Sequence, residues 1–190
     1  MKYLKNLFVW IILIILLFPS FSSAKDTVIK NIIISNSYDH LHIQFRLVNS
    51  FNKKMDEAIK TGIPTTFNYY VNLYQHRSLW RDKLITAVTL SKTIKYDNLK
   101  NEYLITTKNK KNDGASSLVI TSLFEAKKVM NNIEIPLFYP TRKLERNKTY
   151  YIKIKADSKG VEPPLFLHYF LFFLKWMNFE TDWSVEKFRY

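Results

Sequence analysis

The chain has 190 residues with 47% hydrophobic and 24% charged side chains, an ordinary composition for a globular protein, which excludes an intrinsically disordered chain. It contains no cysteine, which excludes disulfides, thiolate metal sites and cysteine nucleophiles. Lys and Arg number 29 against 16 acidic residues, so the chain is strongly basic and favours anionic partners.

The N-terminus has the pattern of a secretory signal peptide. A basic start and the apolar run Leu7–Phe18 precede two small residues, Ser22 and Ala24, at the minus-three and minus-one positions of a cleavage site. The apolar run has 12 residues, whereas a helix that spans a bilayer needs roughly 17–25. We therefore predict that residues 1–24 are a cleaved signal peptide and that residues 25–190 form a single β-rich domain in the periplasm. An uncleaved anchor in the inner membrane is the alternative.

The mature part of the chain keeps most of the positive charge. Without the leader, 27 basic side chains face 16 acidic ones, a net charge of +11. For an exported protein, this charge favours phospholipid headgroups or acidic polysaccharide as partners, and we do not expect nucleic acid. The alternative is a solvated, lysine-rich surface that binds nothing.

Alternation of apolar and polar residues with a period of two predicts that most of the mature chain is β-strand. The predicted strands cover 28–35, 40–48, 65–76, 83–95, 102–108, 133–138 and 149–156, with the start of a strand at Ser117 and an edge strand within 183–190. Helices are predicted at 51–60 and near 123–130, and a polar loop at 108–114. Because the strands follow one another at hairpin spacing, we predict a mainly β fold. Its expected architecture is an antiparallel β-sandwich, immunoglobulin-like in general, with two or three accessory helices.

A set of aromatic and turn residues extends over most of the mature chain. It comprises Gly62-Ile63-Pro64, Phe67, residues 74–80, Asp82, Tyr96-Asp97, Leu99, Tyr103, Pro163-Pro164-Leu165 and Asp182-Trp183. This set resembles the pattern of an uncharacterised bacterial family of exported proteins, the domain-of-unknown-function family numbered four-three-nine-zero. The resemblance implies a periplasmic location, and it transfers neither an activity nor a catalytic residue.

The connection between the predicted strands 65–76 and 83–95 carries the candidate binding residues Arg77, Trp80 and Arg81. Trp and Arg are the residue types most enriched in binding hot spots. If this segment binds a partner, the Trp80 side chain must be exposed. The alternative is an Arg–Asp ion pair to Asp82 beneath a packed indole.

A second candidate surface lies in the apolar run 165–174, which only His168 interrupts. The run is too short to span a bilayer, so it is either a buried core helix or a helix that lies in the membrane interface. In the second case, the residues that dock on the membrane are Leu165, Phe166, Phe170, Phe173, Lys175 and Trp176.

Weaker patterns concern metal binding and catalysis. His40 and His42 point to the same side of a predicted strand, as metal ligands can, with Asp39 or His76 as a third ligand; two solvated imidazoles are the alternative that we favour. Asp82 and Asp97 would form a glycosidase-like pair only if strand pairing brought them together in a cleft; acids of turns and caps are the alternative that we favour. The sequence has no nucleophile elbow and no phosphate-binding loop. We predict no metal and no cofactor, and we favour a protein that is not an enzyme.

Three functions remain open on the sequence. The first is a non-enzymatic binding or scaffold module that captures an envelope protein or an anionic envelope component. The second is a peripheral membrane protein that docks on anionic lipid through residues 163–183. The third, ranked last, is a hydrolase of an envelope polymer, which needs a cleft with two acids or a His–acid pair.

Overall fold

A computed structural model describes residues 26–37, 39–110, 112–160 and 178–190. The predicted leader 1–24 and the candidate docking residues 165–176 lie outside the described residues. Within the described ranges the chain forms nine strands and two α-helices. In chain order, these are β1 (Val28–Ser37), β2 (His40–Val48), α1 (Lys53–Lys60), β3 (Thr65–Gln75), β4 (Lys83–Asp97), β5 (Glu102–Asn109), β6 (Asn112–Ile120), α2 (Leu123–Asn131), β7 (Asn132–Pro140), β8 (Thr149–Gly160) and β9 (Ser184–Arg189). A 3-10 turn, Thr141–Lys143, follows β7.

The strands form two antiparallel sheets, which confirms the mainly β prediction. One sheet has the order β1-β2-β7 and the other has the order β6-β5-β4-β3-β8-β9. In chain order, β1 and β2 belong to the first sheet, β3 to β6 to the second, β7 to the first again, and β8 and β9 to the second. This order is compatible with an immunoglobulin-like connectivity, but the immunoglobulin-like part of the prediction stays a prediction.

One hydrophobic core joins the two sheets in a sandwich-like arrangement. Alternate residues of β2 and β7 supply one side of it and alternate residues of β3, β4 and β8 supply the other. Phe45 on β2 meets Tyr69 on β3 edge to face, with ring centroids 6.2 Å apart. Side chains that are entirely buried include Ile43, Phe67, Tyr69, Val71, Leu73, Ile94, Ile152 and Ile154. The period of two therefore predicted the core face of these strands correctly.

The two helices cover the core beside the sheets. Asn52 caps α1, because its side-chain oxygen accepts a hydrogen bond from the amide of Met55 at 2.9 Å. The helices are linked by an ion pair between Asp56 of α1 and Lys127 of α2, whose nearest N–O distance is 2.5 Å.

The backbone carbonyls at the C-terminal end of α2 accept hydrogen bonds from side chains of the large sheet. The hydroxyl of Tyr69 donates to the carbonyl oxygen of Met130. The ammonium of Lys92 donates to the carbonyls of Val129 at 2.7 Å and Asn132 at 3.2 Å. The last carbonyls of a helix lack partners within the helix, so these two side chains allow α2 to end against the core. Lys92 is buried, and desolvation lowers its pKa from 10.5 to about 8.

Two local predictions were wrong. The segment 108–114 is not a polar loop, since β5 continues to Asn109, which pairs with Asn112 at the start of β6. The even spacing of Leu84 and Val88 within the predicted strand 83–95 places both on one buried face, but Leu84 does not share that face because the pairing of β3 with β4 shifts between Leu73 and Tyr74. A register shift of this kind turns the following side chains to the other face, and Leu84 is 49% exposed.

Candidate functional site

The candidate site is the connection between β3 and β4, residues 76–82, which we call the Trp80 loop. It begins directly after the β3–β8 pairing ends, and the amide of His76 donates to the carbonyl of Thr149 at 2.9 Å. It ends at Asp82, the residue before β4. Both ends of the loop are therefore attached to central strands of the large sheet.

Asp82 fixes the shape of the loop from its C-terminal end. Its Oδ1 accepts hydrogen bonds from the amide of Arg77 and from Nδ1 of His76, each at 3.0 Å. Its Oδ2 accepts a hydrogen bond from the hydroxyl of Tyr151 on β8 at 2.7 Å. The carboxylate thus ties the first residues of the loop to the last one and ties both to the sheet.

The protonation of this network is fixed by its contacts. The hydrogen bond from Tyr151, followed by that from the Arg77 amide, lowers the pKa of Asp82 below its usual value, and His76 adds to the shift. Burial, together with the nearby Asp82 carboxylate, raises the pKa of Tyr151 to about 12. At neutral pH, a protonated hydroxyl therefore donates to an ionised carboxylate, which is a charge-assisted hydrogen bond.

Aromatic packing supports the donor. Tyr151 stacks on Tyr74 of β3, with ring centroids 5.2 Å apart and an angle of 9° between the planes. Lys153 Nζ lies 5.6 Å from the Tyr74 centroid and 5.9 Å from the Tyr151 centroid, within cation–π range. The side chain that anchors Asp82 is itself held by two neighbours on the sheet.

The loop presents its apolar side chains to solvent. Leu79 is 91% exposed and Trp80 is 80% exposed, and the side chains of Arg77 and Arg81 are exposed beside them. The alternative of a packed indole over an Arg–Asp pair does not occur, because Asp82 is occupied by the Arg77 amide, His76 and Tyr151. The three candidate binding residues are thus accessible, and their role in binding stays a prediction.

A cleft of about 540 Å³ adjoins the loop. Its second wall is the connection between β7 and β8, which contributes Glu145, Asn147 and Lys148. The amide of Glu145 donates to the hydroxyl oxygen of Tyr150 at 2.8 Å, so this wall is also fixed to β8. The cleft combines an apolar rim from the loop with charged groups of both signs.

The His76–Asp82 pair is the part of the loop with a geometry suited to acid–base chemistry. A carboxylate on Nδ1 orients an imidazole and leaves Nε2 as a base, as in a hydrolytic triad. Within the described contacts, neither ring nitrogen of His76 meets a Ser, Thr or Tyr hydroxyl. The pair supplies the His–acid element that a hydrolase needs, and none of the described hydrogen bonds joins His76 to a serine or threonine hydroxyl.

The hypothesis of a carboxylate pair made by Asp82 and Asp97 was wrong. Asp82 directly precedes β4 and Asp97 is its last residue, and 15 strand residues span on the order of 45 Å. Asp97 instead accepts hydrogen bonds from the amides of Leu99 and Lys100 at 3.0 and 3.2 Å and stabilises the turn into β5.

The histidines considered as metal ligands lie in different surroundings. His42 Nδ1 is 3.5 Å from Glu134 Oε1 on the neighbouring strand, whereas His76 is engaged by Asp82. Among the described residues, no group of three or more His, Cys, Asp or Glu side chains is placed to hold a metal ion. For His40 and His42, the alternative of two solvated imidazoles stays the prediction that we favour.

The membrane-docking candidates lie outside the described residues. Next to them in the sequence, Trp183 is 44% exposed, and Lys155 Nζ lies 5.8 Å from the centroid of its ring. Neither helix in the described ranges has the length and apolar character that crossing a membrane requires.

Sequence reasoning missed Tyr151 and the role of His76. Tyr151 is 69 residues from Asp82 along the chain, and only the pairing of β3 with β8 brings it beside the loop. A single sequence carries no signal for that pairing, so the network is visible only in three dimensions.

The comparison with known proteins agrees with the resemblance noted in the sequence. The chain shows no significant similarity to a curated protein or to a solved structure. A family model described as Domain of unknown function (DUF4390) matches residues 24–186, which include the Trp80 loop and all nine strands almost to the end of β9. The chain therefore belongs to the DUF4390 family.

Proposed function

We propose that the chain is an exported, periplasmic binding module without enzymatic activity, which uses the Trp80 loop to capture a protein of the cell envelope. The observation that carries this proposal is the exposure of Leu79 and Trp80, at 91% and 80%, on a loop that is tied down at both ends. Burial of two adjacent large apolar side chains by a partner removes apolar surface from water, which favours association.

The fixed shape of the loop favours binding. Association is opposed by the entropy of ordering loops and side chains at the interface. The hydrogen bonds of Asp82 to His76, Arg77 and Tyr151 hold the loop before any partner arrives. A partner that covers Trp80 therefore meets a surface with little backbone freedom left to lose.

The charges around the loop indicate the chemistry of the partner. Arg77 and Arg81 flank the exposed apolar pair, and Lys148 lines the adjoining cleft opposite Glu145. A partner surface with acidic groups around an apolar centre would match both features. An acidic patch on an envelope protein fits this description better than a uniformly anionic polymer, because a polymer of that kind would not cover Leu79 and Trp80.

The cellular location in this proposal rests on the sequence. The leader-like residues 1–24 have the order of a secretory signal peptide, and the family resemblance implies a periplasmic location. The cysteine-free chain gains nothing from an oxidising compartment, so its stability there depends on the shared core of the two sheets.

Partner capture with matched variants tests this function. The full chain serves as bait for solubilised envelope proteins, and Trp80→Ala is compared with Leu99→Ala. Leu99 is a suitable control because it is 96% exposed on a different loop. We expect the same bound protein with the unaltered chain and Leu99→Ala, and its loss with Trp80→Ala. Equal capture by all three proteins would contradict the proposal.

Membrane docking is the second candidate, favoured by one observation. Trp183, at the end of the segment 163–183, is 44% exposed with the Lys155 ammonium over its ring, and Trp and Lys are typical of headgroup depth. Flotation with anionic vesicles should then show binding that fades as salt rises, because salt screens exposed charges beyond about 8 Å at physiological ionic strength. Trp80→Ala should leave this binding intact. Binding to zwitterionic vesicles and not to anionic ones would contradict docking on anionic lipid.

A further inference from the structure

Strand β6 is an edge of the large sheet with an unusual surface. It pairs with β5 on one side, and no described strand pairs with its other side. All six residues from Gly114 to Val119 are exposed. The segment 114–121 contains no charged residue and no proline. A row of backbone amides and carbonyls along such a strand is a template for pairing with another strand.

The other three sheet edges carry features that discourage such pairing. The pairing of β1 is interrupted by a register shift after Lys30. Strand β7 contains Pro136 and ends at Pro140, which lack amide donors. Strand β9 is only 6 residues long and carries Glu186, Lys187 and Arg189. Bulges, prolines, charges and short length are the devices by which proteins protect sheet edges. Strand β6 has a register shift of its own between Asn112 and Ala115, but from Ala115 to Ile120 it pairs regularly with β5 and carries no proline and no charge.

The side chains along β6 are ordered by size in a way that suits antiparallel pairing of two copies of this strand. The first half, Gly114-Ala115-Ser116, is small, and the second half, Leu118-Val119-Ile120, is large. We infer that β6 pairs antiparallel with β6 of a second copy, about a two-fold axis at Ser117. In this register Ser116 lies opposite Leu118, Ala115 opposite Val119, and Gly114 opposite Ile120, so that each large side chain meets a small one.

Charge favours the same contact. The chain has a net charge of +13, so two copies repel one another wherever their lysines and arginines meet. Like charges that face each other across a strand pair are destabilising, and the pairing of 114–120 with itself brings none together. A two-fold contact is also self-complementary and closes after two copies, so it does not extend into a fibre.

Apolar surface next to the edge adds to the pairing. Val119 is 51% exposed and lies directly across from Leu104 on β5, which is 36% exposed. Pairing with a second copy places Ala115 of that copy against Val119 and extends this apolar strip across the axis. The proposed contact comprises residues 114–120 of each copy, fewer than the roughly 20–30 residues a side of a standard interface, so we expect a dimer that dissociates on dilution.

A cysteine placed at the axis tests the register. The chain has no cysteine of its own, so Ser117→Cys forms a disulfide only between two copies. Opposite residues of an antiparallel pair have Cα atoms roughly 4.5–5.5 Å apart, which suits a disulfide. The control is Ala115→Cys, because the axis at Ser117 separates the two copies of residue 115 by about 14 Å along the strands. Under mild oxidation we expect a covalent dimer from Ser117→Cys and none from Ala115→Cys. Equal cross-linking of both, or of neither, would overturn the inference.

Sedimentation of the full chain tests the association without a cross-link. Over loading concentrations from about 1 µM to about 1 mM, which span weak to moderate dissociation constants, we expect a reversible monomer–dimer equilibrium. Ser117→Lys should shift it to monomer, whereas Val185→Lys, a lysine added to the already charged edge β9, should not. An unchanged melting temperature confirms that each variant is folded. A monomer at all concentrations, or a dimer that Ser117→Lys leaves intact, would overturn the inference.

Discussion

The hydroxyl of Tyr151 donates a hydrogen bond to Oδ2 of Asp82 at 2.7 Å, and this bond joins strand β8 to the loop that exposes Trp80. The same carboxylate holds the amide of Arg77 and the ring of His76. The shape of the proposed binding surface therefore depends on one acidic residue and on a tyrosine that lies 69 residues away in the sequence.

Removing the Tyr151 hydroxyl should loosen the Trp80 loop without unfolding the protein. In Tyr151→Phe, the ring still stacks on Tyr74 but Asp82 loses one donor. We expect faster hydrogen exchange at residues 76–82, measured by mass spectrometry, and a loss of about 1 kcal/mol in stability. Tyr96→Phe is the control, because Tyr96 bonds to Asn101 in a different turn. Unchanged exchange at 76–82 would show that Asp82 does not need this donor.

The loop should also respond to acid. The pKa of Asp82 is lowered in the folded protein, first by Tyr151 and then by the Arg77 amide. A carboxylate of this kind contributes order above its unfolded pKa of about 3.9 and loses it as pH falls through the lower folded value. Hydrogen exchange at 76–82, corrected for intrinsic rates, should therefore stay constant from pH 7 to pH 5 and rise only below about pH 4. Asp82→Asn should abolish the acid transition, and a transition above about pH 5 in the unaltered protein would contradict the role of Asp82.

Lys92 should make the protein more stable as the solution becomes mildly alkaline. Its folded pKa is lowered to about 8, whereas the unfolded chain has the ordinary value near 10.5. Below pH 8 both states are protonated and the cost of burying the charge is fully present; as pH rises through the folded pKa the cost is relieved. We expect the free energy of unfolding to rise by on the order of 2 kcal/mol between pH 8 and 10, measured by urea denaturation.

Two comparisons isolate the contribution of Lys92. Lys92→Met should remove the rise, whereas Lys95→Met, an exposed lysine on the same strand, should keep it. Above about pH 10 the trend should reverse, because the pKa values of Tyr70 and Tyr151 are raised to about 12 and the folded state then holds protons that the unfolded state has lost. A flat profile between pH 8 and 10 in the unaltered protein would contradict a buried ammonium at this position.

Cell fractionation tests the predicted export. If residues 1–24 are a signal peptide, osmotic shock should release a protein whose intact mass begins at Lys25. If they are an uncleaved anchor, the full-length mass should remain with the membrane. A full-length protein in the cytoplasmic fraction would contradict both predictions.

Much of the fold could be predicted because alternation along a strand directly records which face is buried. Strand β2 has the predicted bounds, and Phe67, Tyr69, Val71 and Leu73 of β3 are all fully buried as expected. The even-numbered positions of β4 that face the core also include Lys92. Because Lys92 is charged, the pattern of apolar residues did not predict that its side chain is buried. The burial of Lys92 depends on the carbonyls at the end of α2, which a strand pattern does not reveal.

The candidate site could be predicted only in part, since contacts across strands depend on register. The composition of residues 77–82 identified Trp80 and its two arginines, and the structure places all three at the surface. The sequence did not indicate which residue would hold Asp82, and it allowed a pairing with Asp97 that the length of β4 excludes. Local composition identified an exposed loop, whereas the fixed shape of that loop is a property of the β3–β8 pairing.

Site-specific photo-crosslinking in living cells tests the central claim most directly. A photoreactive benzoylphenylalanine replaces Leu79, which is 91% exposed beside Trp80, or Leu99, which is 96% exposed on another loop. A partner at the Trp80 loop predicts one discrete adduct from position 79, none from position 99, and loss of the adduct when Trp80→Ala is added. The absence of an adduct at position 79, or the same adduct from both positions, would contradict the claim that this loop binds an envelope protein.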